Sequence, residues 1–81
     1  MAREFLAQLD DVQKGIIPYL LSKGPKGASL DNIIARFELT SEYNARDIMK
    51  RVRRDHQEIG RHDGNSLYFY IKNNGKSEPT S

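Results

Sequence analysis

The stretch Ile59-Gly60-Arg61-His62-Asp63-Gly64-Asn65-Ser66-Leu67-Tyr68-Phe69-Tyr70-Ile71 breaks the pattern of the chain before it. Upstream, apolar residues recur three and four apart, the spacing of one helical face. Here Leu67, Phe69 and Ile71 alternate with Tyr68 and Tyr70, the period of a strand. The polar run Arg61 to Ser66 contains Asp63-Gly64. Asp-Gly between alternating segments is a hairpin signal, because both central positions of a tight turn can take a positive φ. The stretch therefore predicts a β-hairpin over 59–71, with the two tyrosines on the face opposite Leu67, Phe69 and Ile71.

Immediately upstream, Ala45, Ile48, Met49 and Val52 fall on one face of a helix over 41–57, with Thr40 or Ser41 as its N-cap. Glu38-Leu39-Thr40 is a short connector whose Leu39 is expected in the core. Before it, Ser29 caps a short helix over 30–37 that carries Leu30, Ile33, Ile34 and Phe37. The first apolar series is Phe5, Leu6, Leu9, Val12, Ile16, Ile17, Leu20 and Leu21, a stripe on a helix over roughly 3–22. Pro18 removes the bond to Lys14 and Gly15 weakens the same turn, so a kink is expected there. Lys23-Gly24-Pro25-Lys26-Gly27 ends that helix. The last residues, Asn73 to Ser81, offer nothing apolar to bury and are expected to be a disordered tail after a domain over 1–72.

The 81 residues allow one small core, and the expected class is mainly α with a small β-hairpin. The chain has no cysteine, which excludes a disulfide framework, thiolate zinc sites and a cysteine nucleophile. No apolar run approaches the ~20 residues of a membrane span, so no membrane partner is expected. Charges at Arg3, Glu4, Asp10, Asp11 and Lys14 exclude a signal peptide in the first twenty residues, and an intracellular location, cytoplasm or nucleus, is expected. Net charge is only +2. Its distribution is more telling: residues 1–40 balance five basic groups against five acidic ones, whereas 46–54 hold Arg46, Lys50, Arg51, Arg53 and Arg54 against Asp47 alone. A local basic segment in a balanced chain points to nucleic acid or another acidic surface.

The order helix, helix, helix, hairpin resembles the winged helix-turn-helix superfamily. The residues that bear the resemblance are Leu30 to Phe37, the connector Glu38-Leu39-Thr40, the helix Ser41 to Gln57, and the hairpin Ile59 to Ile71. The resemblance covers about residues 10–71. It implies double-stranded DNA as partner, with the third helix in the major groove and the hairpin as a wing on the backbone or minor groove. Some members bind RNA or only other proteins.

On a wheel of 100° per residue, burying Ala45, Ile48, Met49 and Val52 turns Tyr43, Asp47, Lys50 and Arg54 outward, flanked by Arg46 and Arg51. Arginine forks suit phosphates and guanine edges, and lysine supplies a mobile charge. In the first turn, Ser41, Tyr43 and Asn44 stand where a recognition helix meets DNA, with Tyr43 and Asn44 as base-edge readers. Arg61, His62 and Asn65 belong to the wing. Asp47 can accept from a cytosine amino group but repels phosphate. Glu42–Arg46, Asp47–Arg51, Arg51–Asp55 and Arg54–Glu58 are also i,i+4 ion pairs that stabilise a solvated helix without any partner. A protein-interaction module on the same fold is thus the rival expectation. RNA binding, with Tyr68 or Tyr70 stacked on unpaired bases, is a third.

An enzyme is not expected. His56 and His62 have no metal-ligand spacing, and no cofactor or small-molecule substrate is implied. Gly24-Pro25-Lys26-Gly27 lacks the preceding strand and spacing of a phosphate loop. Ser22, Ser29, Ser41 and Ser66 lack a base and an orienting group. Adjacent Asp10 and Asp11 diverge around a helix. Because one module spans few base pairs, useful specificity calls for a homodimer or a protein partner. The N-terminal helix is the candidate surface for it, through Phe5, Leu6 and Leu9, which equally could cover the domain's own core.

Overall fold

The structure, a computed structural model, describes residues 4–72, so the expected tail over 73–81 lies outside the described residues. Helix α1 spans Phe5–Ser22, strand β1 Ala28–Ser29, α2 Leu30–Phe37, α3 Glu42–Asp55, β2 Ile59–Asp63 and β3 Leu67–Ile71. The three strands form one antiparallel sheet in the order β1-β3-β2. This mainly helical arrangement is compatible with a winged-helix fold.

Helix α1 runs through Pro18 as one element, with Gln8, Val12, Ile16 and Leu20 buried at every fourth position. Gly15 has a packing reason: a Cβ there would stand 2.9 Å from Cε1 of Phe37, so its absence lets the α2 ring approach α1. Tyr19 meets the same ring edge-on, with centroids 5.8 Å apart. Gln8 is the only buried polar residue among those described. Its Oε1 accepts from the Thr40 N–H at 3.0 Å and its Nε2 donates to the Glu4 carbonyl at 3.4 Å. It thereby ties α1 to the backbone that leads into α3.

Strand β1 has no counterpart among the sequence expectations. Two residues are too few to show a period. The strand is made by close approach: Gly27 has φ +77°, and a Cβ on it would run into the Phe69 carbonyl. Ala28 then pairs with Phe69 and Ser29 with Tyr68. Ser29 ends the strand and caps α2, its Oγ accepting from the Asn32 N–H at 3.2 Å. At the far end Glu38 is left-handed (φ 54°), and the N–H groups of Glu38 and Leu39 both reach the Ile34 carbonyl. That is a Schellman-type stop, made here without the usual glycine. It drops Leu39 into the core as expected.

Helix α3 is two residues shorter at its C-terminal end than the sequence pattern predicts and begins one residue later. Ser41 caps it, its Oγ accepting from the Asn44 N–H at 3.1 Å, and His56 closes it with its own N–H on Val52. The predicted stripe Ala45, Ile48, Met49 and Val52 is fully buried. It joins Val12, Ile16, Leu20, Ile33, Ile59 and Phe69 in one core. Phe5 and Leu9 pack partly against this core, whereas Leu6 is 71% exposed.

The hairpin differs from the expected Asp-Gly turn. Asp63 is still paired, opposite Leu67, so the loop is the three residues Gly64, Asn65 and Ser66. Among the described residues the only positive φ values are at Gly24, Gly27 and Glu38, so neither Asp63 nor Gly64 uses the left-handed freedom that suggested a tight turn. The extra residue relaxes the turn, closed by the Gly64 N–H on the Ser66 carbonyl at 3.2 Å.

Candidate nucleic-acid interface

The buried stripe of α3 fixes where its other side chains go. Its outward charges divide between two flanks. On the hairpin side, Arg46, Lys50 and Arg53 of α3 meet Arg61 of β2 around a cleft of about 280 Å³, with Leu67 and Phe69 also lining it. Arg46 and Arg61 continue along an adjoining cleft of about 340 Å³ that runs over the loop, past Asp63 and Asn65. Four cations from two elements thus meet along one groove.

The local acids temper this field without cancelling it. Arg46 pairs with Glu42 at 3.1 Å and Arg61 with Asp63 at 3.1 Å, all well exposed. Exposed pairs of this kind contribute ~0–1 kcal/mol, so an incoming phosphate can compete for either guanidinium. Arg53 is half-buried and donates from Nε to the Ile59 carbonyl at 3.2 Å. That bond holds the start of β2 against the end of α3 and keeps the groove's two walls together. Lys50 and Arg54 are exposed and have no ion pair among the described residues.

On the other flank, Arg51 pairs with Asp47 at 3.4 Å and its guanidinium lies 5.3 Å from the centre of the Phe5 ring. These two expected contact residues therefore face α1, away from the hairpin groove. Asp47 is removed from the cationic groove by the same rotation. Of the other expected i,i+4 acids, Asp55 instead accepts from Gln13 of α1 at 3.5 Å.

The remaining expected site residues separate as follows. Tyr43 stands 80% exposed in the first turn of α3. Asn44 is half-buried and beside it, and the Ser41 oxygen is engaged by the cap. Asn65 lies exposed at the loop tip. His62 faces the opposite side of the sheet from Arg61, paired with Tyr68. Arg53 was not among the expected site residues. Arg53 lies 80° from Ala45 on the wheel, which the sequence alone gives as a boundary position. Only the docking of β2 makes it a wall of the groove. Among the described residues, no cluster of His, Asp and Glu is arranged to hold a metal ion, and no helix is long and apolar enough to cross a membrane.

Fold and site together define a small three-helix domain closed by a three-stranded antiparallel sheet, with a cationic groove between its third helix and its hairpin. A scan against protein-family models and searches of curated proteins and solved structures returned no match to this chain.

Proposed function

We propose that this chain is a winged-helix module that binds double-stranded DNA. In this reading α3 enters the major groove, Arg46, Lys50, Arg53 and Arg54 meet phosphates or guanine edges, and Tyr43 and Asn44 reach bases from the first turn. The β2–β3 hairpin follows the backbone through Arg61 and Asn65. The observation that carries the reading is the convergence of Arg61 with three α3 cations on one groove. A solvated helix needs no such convergence, since its i,i+4 pairs are satisfied along its own axis.

The rival reading, a protein-interaction module on the same fold, draws on the exposed Tyr43 ring and on the two carboxylates already paired to Arg46 and Arg61. Amide chemical-shift mapping separates them. Titration with a mixed-sequence duplex is expected to move residues of 43–54 and 61–66 and leave the exposed amides of α2 in place. Shifts confined to other surfaces, or none at all, would refute the DNA reading and leave the groove to an acidic protein partner.

A further inference from the structure

The face of the sheet turned away from α3 has no part in the reading above. Strand alternation puts Tyr68 and Tyr70 of β3 there, opposite His62 and Gly60 of β2. The Tyr70 phenol fills the space that a Cβ on Gly60 would occupy, so the glycine lets the ring lie down on the strand. Pro25 and Lys26, from the loop between α1 and β1, stand at the same place. These two, with His62, Tyr68 and Tyr70, line an open cleft of about 450 Å³, more apolar than the clefts along α3.

Three properties decide what suits this cleft. Its rings are rigid and only half-buried, so each keeps surface available to a flat partner. Its polar groups are the Lys26 ammonium, the His62 imidazole and two phenol hydroxyls, and among the described residues no carboxylate lines it. Lys26 is exposed and has no ion pair among the described residues. Residues two apart on a strand are separated by ~6.6 Å, a spacing that offers successive bases of an extended strand one ring each. A duplex keeps its bases stacked on one another and has no such face to give, whereas an unpaired strand does.

We propose that this cleft is a second nucleic-acid site, specific for unpaired single-stranded segments. Tyr68 and Tyr70 stack bases, Lys26 holds a phosphate, and His62 hydrogen-bonds a base edge or sugar. The site stands apart from the α3 groove and does not depend on it.

The test is fluorescence anisotropy with a short labelled oligothymidylate and a short oligouridylate, each run beside a labelled duplex. The two oligomers distinguish DNA from RNA as the strand. Tyr68→Ala is expected to weaken single-strand binding roughly tenfold, the loss of one stacked base. Duplex binding should stay within twofold of wild type. Tyr68→Phe, which keeps the ring, should retain the single-strand affinity. Lys26→Glu, on an exposed loop, should weaken single-strand binding several-fold and carries the test if a thermal melt finds Tyr68→Ala unfolded. The proposal is overturned if wild type binds neither oligomer at low salt. It is equally overturned if Lys50→Glu removes oligomer binding while Tyr68→Ala and Lys26→Glu leave it intact. Binding of a proline-rich peptide with no oligomer binding would assign the tyrosine cleft to a protein and overturn it too. The duplex titrations on the same samples report on the α3 groove independently.

Discussion

Replacing Gln8 with methionine tests how the entrance to α3 is held. Gln8 is fully buried, and its carbonyl oxygen is the acceptor for the Thr40 N–H. Methionine has nearly the same length and volume, so Gln8→Met leaves little cavity and isolates the polar loss. The backbone donor of Thr40 then has no side-chain acceptor. The Thr40 contact is only part-buried, so its unmet donor costs toward the lower end of about 1–3 kcal/mol, and the Nε2 bond to the Glu4 carbonyl is lost with it. A net loss of about 1–2 kcal/mol follows, and a domain of this size loses about 4–8 °C in Tm per kcal/mol. Thermal unfolding by circular dichroism should therefore fall by roughly 5–15 °C. Hydrogen exchange should show the Thr40 amide losing its protection selectively. A variant as stable as wild type, or a Thr40 amide equally protected, would refute the argument that Gln8 anchors the approach to α3.

Gly27→Ala should be far more damaging than an ordinary loop substitution. It combines a left-handed backbone, worth about 1–2 kcal/mol against alanine, with a collision on the Phe69 carbonyl that only backbone movement can relieve. Loss of the cooperative melt, or a drop in Tm beyond that of Gln8→Met, is expected; a drop of only a few degrees would contradict the tight β1–β3 approach. Glu38→Gly should do the opposite, relieving the left-handed φ of 54° at the α2 stop. After the entropy glycine adds to the unfolded chain, a gain of about 0.5–1 kcal/mol remains, read as a Tm several degrees higher. A lower Tm would mean that the Glu38 side chain makes a contribution beyond the cap.

What could be read in the sequence follows from which features are local. The α3 stripe, the Ser29 and Ser41 caps and the alternation of β3 depend on neighbours a few residues away, and periodicity finds them. Gln8 gave no sign because a glutamine on an amphipathic helix is usually solvated; its burial depends on Thr40, thirty-two residues on. Strand β1 escaped for a related reason, since it is created by Gly27 reaching β3 rather than by any pattern within Ala28-Ser29. The candidate site was legible as a set of charges but not as a surface. A helical wheel gives the angle between Arg46 and Arg51, yet only tertiary packing says which flank meets the hairpin. The structure sends Arg51 and Asp47 toward Phe5, brings Arg53 into the groove, and turns His62 to the other side of the sheet from Arg61. The Asp-Gly turn misled because that dipeptide fits two hairpin loops, and the choice rested on whether Asp63 stays paired with Leu67.

If α3 and the hairpin neutralise DNA phosphates, as proposed, duplex affinity must fall with salt, and a salt titration of duplex binding measures that fall. Engagement of about four phosphates by the groove cations gives a slope of log K against log salt of about −3 to −4. Lys50→Glu, at an exposed position with no ion pair among the described residues, should weaken binding at every salt concentration and flatten the slope by about one or more. Duplex binding that is absent at low salt, or whose affinity neither falls with salt nor responds to Lys50→Glu, would rule out DNA as the partner of this groove.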